Sequence, residues 1–339
     1  MKEYSYIKRA IFRELCENSR ISTTELAQKV KCSRNTVLSN MRALDNELGL
    51  FHTIEFNREA THTNYVQVWC VRFGNKPTTD ELRKLFEDDY RARFVAETEG
   101  DFDLIVNVAA DMADRYMNWS IRTMTRLLPY IPKMMPSAII LPHTGFFIVR
   151  NELLDKLDLS YLGIDEVDKK ILLALNENSR MSFLEISKLV GANVETVRYR
   201  INKIMKRGVI RRFTTVLRRP PTEYNIAFFG NYEMAPGIRE RYTEAMKYYI
   251  TVDERLPLVN TFQYLSLTTG SHSLFGMGCF DSEEAAIKDG VMAHKEIYRE
   301  DRPRINFARI TNVIKGYLPL RSVDIAKDYR QIAWDPEKY

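Results

Sequence analysis

Cysteine is scarce in this chain, and its placement excludes two classes of site. The 339 residues contain four cysteines, which stand singly at Cys16, Cys32, Cys70 and Cys279. Because no two of them form a C-x-x-C pair, the sequence predicts neither a zinc site nor a disulfide framework. The five histidines are also not paired at metal-ligand spacing. We therefore predict no metal and no cofactor.

Long apolar runs are also missing. The run near residues 137–141 is bounded by Pro136 and Pro142. Like every other run here, it is far shorter than the roughly 18 residues that span a bilayer. The first six residues lack the basic start and apolar stretch of a secretory signal. We therefore expect a cytoplasmic protein without membrane contact.

The chain has more residues than one ordinary core requires, so two or more domains are expected. Its contents of 45% hydrophobic and 28% charged residues are typical of a globular protein. The net charge of +5 is modest but unevenly distributed. The segment from residue 193 to residue 219 contains nine basic residues and one acidic residue, Glu195. These nine are Arg198, Arg200, Lys203, Lys206, Arg207, Arg211, Arg212, Arg218 and Arg219. Such a concentration predicts a local positive field that attracts polyanions.

A short sequence occurs twice. Glu-Asn-Ser-Arg-Ile-Ser at residues 17–22 returns as Glu-Asn-Ser-Arg-Met-Ser at residues 177–182, and the residues around both copies align at an offset of 160 without a gap. Apolar positions agree between the copies, whereas positions expected to be exposed differ. The chain therefore contains a duplicated module whose two copies share one fold.

The module reads as three short helices. In the second copy, Ser182 and Glu185 form a capping box that predicts the start of the second helix, and Asn193 caps the third. Ser33 caps the third helix of the first copy. A turn containing Gly191 separates the last two helices of copy two, which is typical of a helix-turn-helix. The strand after each third helix is predicted to form a wing-like arm.

The third helix of each copy is the predicted DNA reader, because the major groove admits a helix with Asn, Arg and Ser at base edges and Lys or Arg at phosphates. In copy one the predicted DNA-binding residues are Ser33, Arg34, Asn35, Thr36, Ser39, Asn40 and Arg42. In copy two they are Asn193, Glu195, Thr196, Arg198, Tyr199, Arg200, Asn202, Lys203, Lys206, Arg207, Arg211 and Arg212. Copy one carries less positive charge and is the weaker predicted anchor. A protein-binding winged helix with a solvated basic face is the alternative.

After each copy the pattern changes to alternating strands and helices in the order β-α-β-β-α-β. That order predicts a ferredoxin-like antiparallel sheet with helices on one face. The first such region includes a strand from 137 to 149, and the second includes a helix from Gly237 to Arg255. Met112, Met117, Met124, Met134 and Met135 are predicted to fill gaps in a core or at a subunit contact.

The fold class is thus α+β, with two winged helix-turn-helix domains alternating with two ferredoxin-like βαββαβ domains. The predicted boundaries are 1–58 for the first helix-turn-helix domain, 62–150 for the first sheet domain, 151–163 for a linker, 164–219 for the second helix-turn-helix domain, 222–320 for the second sheet domain and 321–339 for a polar tail. The two sheet domains are predicted to pair within one chain as a pseudo-dimer, or between chains in a homo-oligomer.

The second module resembles the leucine-responsive/AsnC (Lrp/AsnC) family of prokaryotic transcription regulators. The residues that carry the resemblance are Ile-Asp-Glu-Val-Asp-Lys-Lys-Ile-Leu at 164–172, Asn-Ser-Arg-Met-Ser at 178–182 and Lys-Arg-Gly-Val-Ile at 206–210. The resemblance covers nearly the whole chain as two tandem copies, whereas ordinary members carry one. It implies a nucleoid-associated regulator that binds double-stranded DNA and is not an enzyme.

Family members often bind an amino acid beside a G-x-[YF]-D turn. The turn formed by Gly100, Asp101, Phe102 and Asp103 matches this pattern, so the resemblance implies a small-molecule effector there, such as an amino acid. The alternative is a solvated hairpin turn, where Gly and Asp are favoured in any case. The equivalent turn of the second half, residues 270–273, lacks both the aromatic residue and the acid, and His272 is predicted to lie on its surface.

Two other functions are compatible with the sequence. Sirohaem decarboxylases resemble the same fold and occur as paired halves, but they bring a His-Asn-Tyr-type motif on the second strand of the sheet domain. Here that strand reads Val-Asn-Thr-Phe-Gln at 259–263 and Phe-Val-Ala-Glu at 94–97, without the histidine. An architectural DNA binder with little sequence preference is the other alternative, because cations directed at phosphates require no base contact.

Overall fold

The structure is a computed structural model, and it describes residues 5–57, 65–142, 151–157, 159–219, 224–231, 261–288 and 304–316. The predicted helix from Gly237 to Arg255 and the polar tail beyond residue 320 lie outside these ranges. Within them, no helix combines the length and the apolar character needed to cross a bilayer.

The first unit, here called head 1, consists of three helices and one strand. Its elements are α1 (Tyr6–Glu17), α2 (Thr23–Lys29), α3 (Arg34–Leu48) and β1 (Leu50–Phe56). Ser5, Ser22 and Ser33 each begin a helix, because their side chains accept a hydrogen bond from a backbone N–H in its first turn. Gly49, with a left-handed φ of 64°, ends α3. The predicted cap at Ser33 is confirmed.

The first sheet region has the predicted order β-α-β-β-α-β. Its elements are β2 (Tyr65–Phe73), α4 (Thr79–Phe86), β3 (Ala92–Gly100), β4 (Leu104–Ala110), α5 (Ala113–Leu127), a 3-10 turn (Leu128–Tyr130) and β5 (Pro132–Pro142). The last strand begins five residues before its predicted start at residue 137. The side chains of Met112, Met117 and Met124 are exposed, so these three do not fill gaps in the core, and for them the predicted subunit contact stays a prediction.

Head 2 repeats the three helices and the strand of head 1. It follows α6 (Asn151–Leu154) and a 3-10 turn (Ser160–Leu162), and consists of α7 (Glu166–Glu177), α8 (Phe183–Val190), α9 (Val194–Lys206) and β6 (Ile210–Leu217). The capping box of Ser182 with Glu185 and the cap at Asn193 are both confirmed. Leu154 and Leu159 are buried in the core of this head, so the predicted linker packs against head 2.

The described part of the second sheet region contains four strands. They are β7 (Tyr224–Asn231), β8 (Thr261–Gly270), β9 (Leu274–Phe280) and β10 (Arg304–Lys315), and residues 283–288 are helical. The four strands pair in the order β8-β9-β7-β10. The equivalent strands of the first half pair in the matching order β3-β4-β2-β5.

The two four-stranded sheets join into one closed barrel. Its strand order is β10-β3-β4-β2-β5-β8-β9-β7, so β10 of the second half pairs with β3 of the first, and β5 pairs with β8. A barrel leaves no sheet edge open. Buried side chains from both halves share one core cluster, which includes Phe94, Phe102, Phe275 and Met277.

The two heads are joined by a second, smaller sheet. The strands β1 and β6 pair antiparallel from Leu50 with Leu217 to Phe56 with Ile210. Each strand also crosses into the other head, since Ile54 and Phe56 belong to the core of head 2 whereas Val216 and Leu217 belong to the core of head 1. The heads therefore share their cores through this two-stranded ribbon.

Candidate nucleic-acid interface

The turn between α8 and α9 sets the direction of the third helix in head 2. Gly191 ends α8 in the left-handed region, with φ of 70°, where a side chain is strained. Two residues later the side chain of Asn193 accepts a hydrogen bond from the backbone N–H of Thr196 at 2.7 Å and starts α9. The inner face of α9 then buries Val197, Ile201 and Ile204 against the head. This packing fixes which residues face outward.

The outward face of α9 is polar and carries an aromatic side chain. Its exposed residues are Glu195, Arg198, Tyr199, Asn202 and Lys206. Tyr199 is 69% exposed, which is unusual for a residue of its size in a folded domain. The Arg198 guanidinium lies 3.6 Å from the Glu195 carboxylate and 5.4 Å from the ring centre of Phe183 on α8. The face therefore presents hydrogen-bond donors and acceptors together with a surface for stacking.

The outward face of α3 in head 1 has a different composition. Its exposed residues from Arg34 to Asn46 are Arg34, Asn35, Leu38, Ser39, Arg42, Asp45 and Asn46. The side chain of Ser33 is occupied as the helix cap, and the amide of Asn40 donates to the Thr36 carbonyl at 2.8 Å. The α3 face thus combines two arginines with an apolar leucine at the position where α9 has Arg198.

Two predicted DNA-binding cations of α9 point back into head 2. Arg200 donates to Asp165 at 2.6 Å and to Asp168 at 2.8 Å, and the Lys203 ammonium lies 3.6 Å from Asp168. Asp168 is fully buried on α7. The hydrogen bonds to both carboxylates raise the pKa of Arg200, and the Arg200 guanidinium lowers the pKa of Asp165. These contacts clasp the third helix to the first.

Three further cations of the predicted set are also engaged, one within head 2 and two between the heads. Arg207 donates to the backbone carbonyls of Leu162 and Gly163 before α7. Arg211 and Arg212, on β6, reach the carboxylate of Glu55 on β1 at 3.2 Å and 2.5 Å. Burial disfavours the charge of Arg212, but the nearby carboxylates outweigh burial and raise its pKa.

The strand after α9 has a different role from the one predicted. Instead of a wing-like arm, β6 is one strand of the ribbon that pairs with β1 of the other head. The two arginines that follow it are also engaged. Arg218 lies over the Phe51 ring at 5.0 Å, and Arg219 donates to the carbonyls of Asp45 and Asn46. Much of the positive charge counted in the sequence is therefore neutralised or anchored within the two heads.

The repeated sequence marks a contact that the pattern alone did not predict. The hydroxyls of Ser19 and Ser179, which occupy the same place in the two copies, lie 2.6 Å apart and are fully buried. Arg20 donates to the Ser179 and Met181 carbonyls at 2.5 and 2.8 Å, and Arg180 donates in return to the Ser19 carbonyl. The heads thus meet about a local two-fold axis. The identity of the two copies at Asn-Ser-Arg was the available signal.

The predicted effector turn is tied into the barrel. The carboxylate of Asp101 accepts hydrogen bonds from the Asn306 amide at 3.2 Å and from the Phe307 backbone N–H at 2.9 Å on β10. Asp103 accepts a bond from the backbone N–H of Phe73 at 2.9 Å. A Cβ at Gly100, where φ is 128°, would lie 2.6 Å from the Phe307 carbonyl oxygen. The turn therefore packs closely against the second half.

The prediction for His272 is wrong, because its side chain is buried. Its Nδ1 lies 3.1 Å from the Ser137 hydroxyl on β5, and its ring meets the ring of Phe102 edge to face at 5.9 Å. Burial lowers the pKa of His272 to about 4. The small polar residues around His272 led to the prediction of a surface position. Closure of the barrel instead brings this turn together with the equivalent turn at residues 100–103, and the His272 side chain is buried between them.

Comparison with protein families supports the two heads independently. The family described as an AsnC-type helix-turn-helix domain matches residues 164–205, and the family described as winged helix-turn-helix DNA-binding matches residues 5–47. Both matches end near the C-terminus of the third helix of a head.

Curated relatives are HTH-type transcriptional regulators. An uncharacterized HTH-type transcriptional regulator of Pyrococcus furiosus is 33% identical over 113 residues, which cover 33% of this chain and 69% of that protein. The HTH-type transcriptional regulator FL11 of the same organism is 31% identical over 98 residues, covering 27% of this chain and 65% of that protein. The chain thus spans about two thirds of the length of the relatives it matches.

Some solved structures match nearly the whole chain. The siroheme decarboxylase NirDL covers 98% of this chain and 99% of its own, with a TM-score of 0.55 and 14% sequence identity. At this identity the likeness concerns the arrangement of the two heads and the two sheets.

Proposed function

The chain belongs to the Lrp/AsnC family of helix-turn-helix transcriptional regulators, and from this premise we propose that it binds double-stranded DNA through two non-identical recognition helices held in one polypeptide. The observation that carries the proposal is the exposed polar face of the third helix in each head. A helix with such a face fits the major groove, where each base pair presents its own pattern of donors and acceptors.

The proposed base readers are the residues in the middle of each outward face. On α9 they are Glu195, Arg198, Tyr199 and Asn202, and Lys206 meets phosphate near the end of the helix. On α3 they are Arg34, Asn35, Ser39 and Arg42. Arginine suits guanine, asparagine suits adenine and a glutamate accepts from cytosine, so the two helices would read different bases.

The clasped cations have a positioning role in this proposal. Arg200, Lys203, Arg207, Arg211 and Arg212 each hold a carboxylate or carbonyl of the heads. Their contribution to DNA binding would come through the orientation of α9 and through the field of the whole surface. This assignment narrows the base-reading set predicted from the sequence.

The shared cores of the heads support a fixed geometry of the two readers. Because β1 and β6 pair along their length and each enters the other head, the heads cannot separate without breaking the ribbon. The pairings of β10 with β3 and of β5 with β8 support the further proposal that the two sheet regions form a pseudo-dimer within one chain. One chain would then present two reading heads at a set spacing, as the subunits of a dimeric helix-turn-helix protein do on two half-sites.

Selection of binding sites from random DNA tests the proposal. We expect enriched sites with two unequal half-sites, because α3 and α9 expose different residues. A perfect palindrome with equal half-sites would contradict the unequal reading. The absence of any enriched sequence, with retained binding to random DNA, would instead support a low-specificity architectural protein.

An amino-acid effector at the turn from Gly100 to Asp103 stays a prediction from the family resemblance. Binding there would require the Asp101 carboxylate to exchange its bonds with Asn306 and Phe307 for those of a ligand ammonium group. A screen of amino acids for a rise in Tm tests this prediction, with Asp101→Asn as the variant that should lose the response. Unchanged melting with all of them would remove the effector from the proposal.

The fold of NirDL makes a sirohaem decarboxylase the second candidate. That likeness shows fold alone, and the strand β3 carries Phe94 and Glu97 where the decarboxylase motif would require its histidine. We therefore propose a regulator that is not an enzyme. An absorbance scan after purification in the presence of a tetrapyrrole separates the two, because a retained Soret band would favour the enzyme.

A further inference from the structure

Helix α5 is apolar on two faces, and among the described residues only one of these faces packs against the rest of the chain. Its inner face buries Trp119, Thr123 and Leu127 against the sheet. Its outer face carries Met117, Ile121 and Met124, and Leu128 at the start of the following 3-10 turn continues the stripe. Their exposed fractions are 53%, 60%, 36% and 60%. A helix on the surface of a globular protein ordinarily has a polar outer face. We therefore expect the outer stripe of α5 to be an interaction surface.

The spacing of this stripe matches a helix–helix contact. Its four residues follow one another at intervals of four, three and four positions, which is the pattern of a coiled-coil seam. The pattern is also the same read from either end. A second copy of α5 laid antiparallel would therefore place Met117 against Leu128 of the partner subunit and Ile121 against Met124 of the partner subunit, as an isologous two-fold contact requires.

The residues beside the stripe do not oppose such a contact. Asn118, Ser120 and Thr125 flank it and are uncharged. The two nearest cations are turned toward their own chain, since Arg122 donates to the Asn118 carbonyl and Arg126 to the Lys84 carbonyl. Like charges directly across a helix pair would weaken association, and this seam has none in its flanking positions.

Two observations favour a second copy as the occupant. The described sheet strands close a barrel within one chain, so no sheet edge among them is left for pairing between chains. The stripe together with Ile131, which is 68% exposed, offers roughly 500 Å² per copy, so a pair would bury about 1,000 Å², the lower bound for a specific interface. We propose that the outer face of α5, from Met117 to Leu128, is the interface through which two copies of this chain form a dimer.

Sedimentation velocity at about 1 to 100 µM tests the interface, since dimerisation depends on concentration. The 39.7 kDa chain should approach twice its mass at the upper end of the range. Ile121→Glu and Leu128→Glu each place a carboxylate in the seam and should raise the dissociation constant at least about 100-fold. Because both side chains are exposed in the monomer, the thermal unfolding curves of the variants should match the wild type at low concentration.

The second half supplies a matched control. Ile287 lies in the equivalent helix, 17 residues after Gly270 as Met117 lies 17 after Gly100, and it is also exposed. Ile287→Glu should leave the dimer intact. The proposal is overturned if the wild type stays monomeric at about 100 µM, if both α5 variants dimerise like the wild type, or if Ile287→Glu alone abolishes the dimer.

Discussion

Head 1 and head 2 share one fold but join their first and third helices in different ways. In head 1 the partly exposed Lys8 on α1 meets Glu47 on α3 at 2.7 Å. In head 2 the position of Lys8 holds Asp168, which is fully buried and binds Arg200 and Lys203 of α9. The sign of the charge is reversed between the copies. The duplication therefore preserved a contact between the helices while its chemistry changed.

The difference also explains why charge counted along the sequence overstates the field of head 2. A cation that clasps a buried carboxylate contributes less to the outward potential than a free one. Head 2 has more cations than head 1, but it also places an acid beneath them. The remaining contrast lies on the outward faces, where Arg198 and Tyr199 of α9 replace Leu38 and Ser39 of α3.

The largest expected effect comes from removing the ion pairs between α7 and α9 in head 2. Asp168→Ala removes the buried carboxylate that Arg200 and Lys203 share, while Arg200 keeps its contact with Asp165, and we expect it to lower the free energy of unfolding by about 2–4 kcal/mol. Glu47→Ala removes the partly exposed partner of Lys8 in head 1 and should cost less than about 1 kcal/mol. Urea unfolding followed by circular dichroism measures both.

Asp168→Asn serves as the control for size in this comparison. It keeps the shape of the side chain but removes the charge, so it should fall between the wild type and Asp168→Ala. If Glu47→Ala costs as much as Asp168→Ala, the two clasps are equivalent in energy and the contrast between the heads is wrong.

The next effect concerns the two equivalent turns inside the barrel, Phe102 in one half and His272 in the other. Burial lowers the pKa of His272 to about 4, below its ordinary value near 6.5. The unfolded chain therefore binds more protons between these values, so the free energy of unfolding falls as the pH falls from about 6.5 to 4, by on the order of 2 kcal/mol. His272→Phe should remove this component of the pH dependence.

The measurement is a series of urea unfolding curves between pH 7 and pH 4 for the wild type and His272→Phe. His52 is the internal reference, because burial lowers its pKa to about 4 as well and its contribution remains in both proteins. Identical slopes for the two proteins would show that His272 does not titrate with unfolding.

A smaller effect separates the outward faces of the heads. Arg198→Ala should weaken binding to a selected DNA site by about 1–2 kcal/mol, because an arginine on the outward face of α9 would lose its contact with a base edge. Arg42→Ala in head 1 should cost less, since it lies later on its helix and has fewer cations around it. Binding titrations at one salt concentration compare the two, with Arg83→Ala on α4 as the control that should change nothing.

Equal losses from Arg198→Ala and Arg42→Ala would mean that the heads contribute alike to affinity. Unchanged affinity in both would mean that neither outward face contacts DNA, and it would count against the proposed function itself.

The sequence predicted those features that depend on neighbours along the chain. Ser182 with Glu185, Asn193 and Ser33 each sit within three residues of the backbone group that they cap, so their roles can be read from spacing. The order of strands and helices follows in the same way from alternating and helical periodicity. The outward position of Arg198 and Tyr199 follows from the inner stripe of α9.

The sequence predicted that the two sheet domains pair, within one chain or between chains. It could not predict which residues meet, because they lie more than a hundred positions apart. The pairing of β1 with β6, the closure of the barrel and the burial of His272 all depend on how the halves meet. The clasping of Arg200 by Asp168 was missed for a related reason. Charge composition does not say which cations have an acid beneath them.

The smallest expected effect concerns the contact to which both heads contribute the same residue. Ser19 and Ser179 meet at the local two-fold axis, with their hydroxyls 2.6 Å apart and fully buried. Ser19→Ala and Ser179→Ala should each cost about 1 kcal/mol of unfolding free energy, because each leaves the other hydroxyl without this partner. The double variant should cost less than the sum, with a coupling of about 0.5 kcal/mol or more in a double-mutant cycle. Additive or clearly unequal losses would show that the two hydroxyls do not act as a symmetric pair. The identity of the two copies at Asn-Ser-Arg would then lack this explanation, whereas the predicted coupling would tie it to the contact between the heads.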